Sequence, residues 1–161
     1  MKKIKTILIC LIWTFNSFSQ NDQKTSKLYS FKEIKFSHTN DKCGEWGGNN
    51  ETIVVFRTEY KGPLFIEYRK RIMDCNKDPT IHYERKDYDE RKMVKSTKED
   101  IKLLELCIEE LVEMKLSNQA ILTHSGITNE IISRDSTFVI RDYPSKEWLN
   151  FKRLKNRVLK K

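Results

Sequence analysis

The sequence is short of the residues that usually announce chemistry. Its 161 residues include three histidines, four cysteines and five glycines, and no Gly-x-Ser-x-Gly elbow marks a serine nucleophile. The glycines form no nucleotide-binding pattern. Acids are plentiful, 23 in all, yet no pair stands apart as the couple a glycosidase needs. Asp87, Asp89 and Glu90 lack the loop glycine and regular spacing of a calcium hand, and read as a solvated charge run. Internal repeats and low-complexity tracts are missing, as is any apolar run long enough to cross a bilayer. These absences argue against a nucleotide-driven enzyme, a repeat array and a membrane-spanning protein.

What is present starts at the amino-terminal end. Lys2, Lys3 and Lys5 precede a short apolar stretch from Ile7 to Trp13, and Ser17 and Ser19 close it in small-x-small fashion. That order of charge, grease and small residues predicts a secretory signal over residues 1–19, with cleavage before Gln20. Ile9 before Cys10 does not fit a lipoprotein signal. Losing the three lysines would take the formal charge from +8 to +5, so the mature chain stays moderately basic. Residues 20–27 are polar and aperiodic and read as a disordered leader, leaving a single domain over 28–161. The expected location is secreted or periplasmic.

Export bears on the cysteines, because an oxidising compartment favours pairing. Cys107 lies among Leu103, Leu104, Leu106, Ile108 and Leu111, where a thiol behaves as a small hydrophobe. Cys43 and Cys75 lie in polar, turn-like stretches, and their disulfide is predicted to staple a hairpin. A two-histidine, two-cysteine zinc arrangement of His38, Cys43, Cys75 and His82 has spacings that fit no compact knuckle, so no metal is expected.

Periodicity supplies the elements. Strands are predicted over 28–36, over 52–60, whose Ile53-Val54-Val55-Phe56 is apolar on both faces, and over 64–72, where Leu64, Ile66 and Tyr68 alternate with Glu67, Arg69 and Arg71. A short strand over 80–85 would follow. Overlapping capping boxes at Ser96 to Asp100 open an amphipathic helix over 98–115, with Ile101, Leu104, Ile108 and Leu111 on its apolar stripe. Strands over 127–133 and 137–141 would form a second hairpin. A basic final helix starts from an N-cap at Ser145 and turns Trp148, Phe151, Leu154 and Val158 inward. The fold expected is α+β: an antiparallel sheet of about five or six strands packed against one long helix, with the basic helix beside it or at an edge.

One loop stands out. Cys43-Gly-Glu-Trp-Gly-Gly-Asn-Asn50 sets a tryptophan between glycines, and two uses follow. The first has the indole folded under the loop as a plug for the end of the sheet. The second has Trp46 exposed as a contact, with Glu45 as its polar partner and Arg57, Tyr68 and Arg69 nearby as anchors. On the second use the protein is a non-enzymatic binding module, such as an inhibitor, an immunity-like factor or an envelope accessory protein, needing no cofactor. Its partner would be another protein or an envelope component, and nucleic acid is not expected. Two alternatives are a small hydrolase centred on His124 or His82, and a binder of anionic polymer acting through the last helix. The sequon at Asn50-Glu51-Thr52 is taken as a chance occurrence.

Overall fold

A computed structural model describes residues 26–59, 62–76, 87–118 and 123–161. The signal over 1–19, most of the leader, the strand at 80–85 and the His82 candidate therefore lie outside the described residues. Among the described residues there are six strands: β1 (Glu33–Thr39), β2 (Asn50–Phe56), β3 (Phe65–Arg71), β4 (Glu90–Lys95), β5 (Ile127–Ser133) and β6 (Val139–Ser145). They form one sheet in the order β4-β3-β2-β1-β5-β6, with every neighbouring pair antiparallel. Two helices, α1 (Lys98–Ser117) and α2 (Leu149–Lys160), pack together on one face of it. The α+β architecture is as the patterning predicts.

Alternation decides which side chains meet the helices. Ile34 and Phe36 of β1 pair with Val55 and Ile53 of β2, which pair in turn with Ile66 and Tyr68 of β3. All six are buried, together with Ile131 of β5. Leu104, Cys107 and Leu111 of α1 and Trp148, Phe151, Leu154 and Val158 on and beside α2 close the core from above. Trp148 stacks on Phe151 at 5.1 Å and donates its indole N–H to the Cys107 carbonyl at 3.1 Å, which satisfies the one polar atom of a buried ring. Burial pushes the Cys107 thiol far up, so it stays protonated, as expected of a core cysteine.

α1 begins where its capping box says it should. Thr97 Oγ1 accepts from the Asp100 amide while the Asp100 carboxylate accepts from the Thr97 amide. α2 does not. Its N-cap is Trp148, without a side-chain cap, because β6 continues through Ser145, the residue predicted to start the helix. The open amides of Leu149 and Asn150 donate instead to the two carboxylate oxygens of Glu110 on α1, each at 2.8 Å. A carboxylate at a helix start satisfies both its free donors and its dipole.

Other strand bounds also differ from the predicted ones, and one strand was not predicted. Lys27–Ser30 make a 3-10 turn capped by Ser26, so the end of the predicted leader is structured, and β1 begins later than residue 28. β2 ends at Phe56 rather than at residue 60. β4 lies in part of the stretch read as a solvated charge run, and pairs with β3 from Phe65↔Lys95 to Lys70↔Glu90.

Candidate functional site

The loop between β1 and β2 is held from several sides. Cys43 and Cys75 form a disulfide with a Cα–Cα distance of 5.3 Å, tying the loop to the chain just past β3. A 3-10 turn, Gly44–Trp46, is closed by the Cys43 amide on the Gly47 carbonyl at 2.7 Å and the Gly47 amide on the Gly44 carbonyl at 3.0 Å. Gly47 adopts a φ of +80°, which a side chain resists. At the neck, the Asn40 carboxamide oxygen accepts from the amides of Lys42 and Asn49. A Cβ on Gly48 would stand 2.1 Å from that oxygen and 2.5 Å from the Asn40 carbonyl, so only glycine fits there.

This scaffold presents Trp46 rather than hiding it. Trp46 is 59% exposed, which overturns the plug. With Glu45 it lines one side of a cleft of about 390 Å³ on the sheet face away from the helices. The opposite side is the turn His124-Ser125-Gly126 with Tyr143, itself 41% exposed, whose hydroxyl donates to the Thr123 carbonyl at 3.3 Å. The floor comes from alternate residues of neighbouring strands, among them Ser37, Thr39, Asn50, Thr128 and Glu130. Arg141 joins its guanidinium to one oxygen of the Glu130 carboxylate through both Nε and Nη2.

The floor's hydroxyls are ordered in one direction. The Asn50 amide donates to Thr39 Oγ1 at 2.8 Å and Thr52 Oγ1 donates to the Asn50 oxygen at 3.0 Å. The Thr52 hydrogen is thus spent, so the 3.3 Å contact between Ser37 and Thr52 has Ser37 as donor. At one end of the chain the Thr39 hydrogen is left without a partner among the described residues, and at the other the Ser37 oxygen is left free to accept.

The remaining predicted contacts lie elsewhere. Tyr68 is 1% exposed on the helix side, where burial, then the carboxylates of Glu51 and Glu90, push its phenol well up. It is a core residue. Arg57 sits at the far end of β2, roughly 20 Å along the strand at 3.3 Å per residue, and its guanidinium donates to the carbonyls of Tyr29 and Phe31. Arg69 is on the same face as the cleft but outside its lining, paired with Glu67 at 2.6 Å and set against the Tyr88 ring. Burial raises the Glu67 carboxyl, and hydrogen bonds from Arg69 and Arg91 more than offset that, leaving it below the usual carboxylate range. So only Glu45 and Trp46 of the five come together. The strand alternation that places Thr128, Glu130 and Arg141 beside them was readable, but only once β5 is known to lie next to β1.

No known protein family, curated protein or solved structure matches this chain. The cleft must be read from its own geometry. His124 lines it, yet hydrogen-bonds to no carboxylate among the described residues, so the imidazole lacks the orienting acid of a triad. His38 faces the helices and bonds through Nδ1 to the fully buried Asn129 at 2.7 Å. The cysteine sulfurs of the zinc alternative are consumed by the disulfide. On α2, Lys152, Lys155 and Arg157 pair with Glu147, Glu51 and Asp100, each at 2.7 Å. Arg153 and Lys160 are its cations without an acidic partner among the described residues.

Proposed function

We propose that the protein is an exported, non-enzymatic binding module that takes an envelope component into the cleft between the Trp46 loop and the His124 turn. The exposure of Trp46 on a loop fixed by a disulfide carries this reading. An apolar ring of that size is costly to leave in water, and ordering a loop to display it adds to the cost. Aromatic anchors held rigid in advance are the usual centres of contact surfaces, since binding then loses little conformational freedom. The disulfide is consistent with an oxidising location, in keeping with the signal expected over residues 1–19.

A hydrolase built on His124 draws on the same cleft, but among the described residues no acid is bonded to the imidazole. A polymer binder draws on α2, three of whose five cations are engaged by acids of the body. Both are weaker readings than binding at Trp46. The test is retention of the protein on isolated cell envelopes. Trp46→Ala and Glu45→Ala should each lose retention while keeping the wild-type melting temperature. Full retention by both variants, or a collapse of stability in Trp46→Ala, overturns the proposal.

A further inference from the structure

We infer that the ligand of this cleft is an uncharged saccharide, an inference that rests on the binding role proposed above. The argument is one of matching chemistry. A sugar ring has a face of C–H groups and a rim of hydroxyls, each of which both donates and accepts. The first asks for an exposed aromatic surface, and the second for donors and acceptors placed in advance.

The cleft offers both. Trp46 and Tyr143 are exposed aromatic rings belonging to its two sides, the first on a disulfide-held loop and the second tied through its hydroxyl to the Thr123 carbonyl. Along the floor, the directed chain Ser37 to Thr52 to Asn50 to Thr39 ends in one free acceptor and one free donor. Glu130 binds Arg141 through Oε2, which leaves Oε1 able to accept and the Arg141 Nη1 group able to donate. A sugar hydroxyl suits either group, giving its hydrogen to the carboxylate or receiving one from the guanidinium.

The lining also speaks against other ligands. Its charged side chains are Glu45 and Glu130 against Arg141, with His124, so it has no cationic surplus to hold a phosphate, a sulfated chain or nucleic acid. Hydroxyls and an ion pair on the floor make a poor bed for an apolar ligand. The nearest competitor is a quaternary ammonium ion, which would use the same two rings and Glu45, but it offers no hydrogen-bond partner to the hydroxyls and ion pair of the floor.

The experiment follows the Trp46 indole N–H and Arg141 Nε–H resonances of isotope-labelled protein during titration with cellotetraose, maltotetraose, chitotetraose and mannotetraose, and separately with choline. At least one tetrasaccharide should move both signals with a dissociation constant of about 1 mM or tighter. Trp46→Ala should weaken that binding at least about tenfold. If none of the four moves them, the saccharide inference falls. If choline moves them and no sugar does, it also falls, and the cleft remains a binding site. Failure of the binding role itself reads differently: Trp46→Ala would then stay on cell envelopes as well as wild type.

Discussion

The carboxylate of Asp100 offers the sharpest test of how the carboxy-terminal helix is fastened. Although wholly buried, it accepts from the Thr97 amide at 2.7 Å, the Thr97 hydroxyl at 2.9 Å and Arg157 Nε at 2.7 Å, and is paired with Lys161. Burial alone would raise its pKa. The Lys161 ammonium, the Thr97 amide and the Arg157 guanidinium outweigh that and hold it at about 2, against an ordinary 3.8. A carboxyl depressed on folding contributes stability that is complete above its unfolded pKa, here about 4, and is lost as pH falls toward about 2. At 1.36 kcal/mol per unit, the shift corresponds to about 2 kcal/mol. Asp100→Asn keeps the shape and removes the charge. It should therefore cost about 2 kcal/mol at pH 7, or roughly 8 °C in melting temperature for a domain of this size. The cost relative to wild type should shrink steadily between pH 4 and pH 2. Urea denaturation of both proteins across that range, with the disulfide intact, measures it. Glu67, Asp135 and Glu147 also titrate low, but they are common to both proteins and cancel in the difference; Glu99, also low, is opposed by the neighbouring Asp100 charge and shifts further down when that charge is removed. A deficit that is the same at pH 2 and pH 7 would refute the electrostatic account and leave only packing.

Two other outcomes follow from named contacts. Replacing both Cys43 and Cys75 by serine opens a bridge across 32 positions and should cost about 3–4 kcal/mol on the chain-entropy view; unchanged denaturation midpoints would place the disulfide's role elsewhere. Glu110→Gln weakens the cap on the Leu149 and Asn150 amides and should cost about 1 kcal/mol. It should also speed hydrogen exchange in the first turn of α2 while leaving the first turn of α1 unaffected, and equal protection in both proteins would contradict it.

Local signals were legible wherever the cause was local. The capping box at Thr97 and the stripe through Leu104 and Leu111 marked α1, and the two-faced apolar run Ile53-Val54-Val55 marked an interior strand. β4 escaped because only Val94 is apolar among its helix-facing residues; Glu90 and Lys92 share that face, and Lys92 reaches the Leu159 carbonyl at 2.8 Å. Charge of this kind is how edge strands avoid pairing with other chains, and it looks the same as a solvated loop in sequence. The start of α2 was misplaced because its cap comes from Glu110, about 40 residues earlier, which no local pattern records. The site was half legible. Glycines around Trp46 pointed to an unusual loop, but its exposure depends on where the disulfide and the Asn40 neck hold it. Tyr68 was assigned to a contact surface although its own alternation with Arg69 turned it inward.

The seam between β1 and β5 has a consequence for how the molecule is made. Phe36 lies opposite Ile131, ninety-five positions later, so β1, central in the finished sheet, has one bare side until β5 has been made. A nascent or truncated chain ending after α1 would carry that bare side as a sticky template for any extended segment nearby. The safest history for such a topology is one in which the chain is kept unfolded until β5 is available and the sheet then collapses at once.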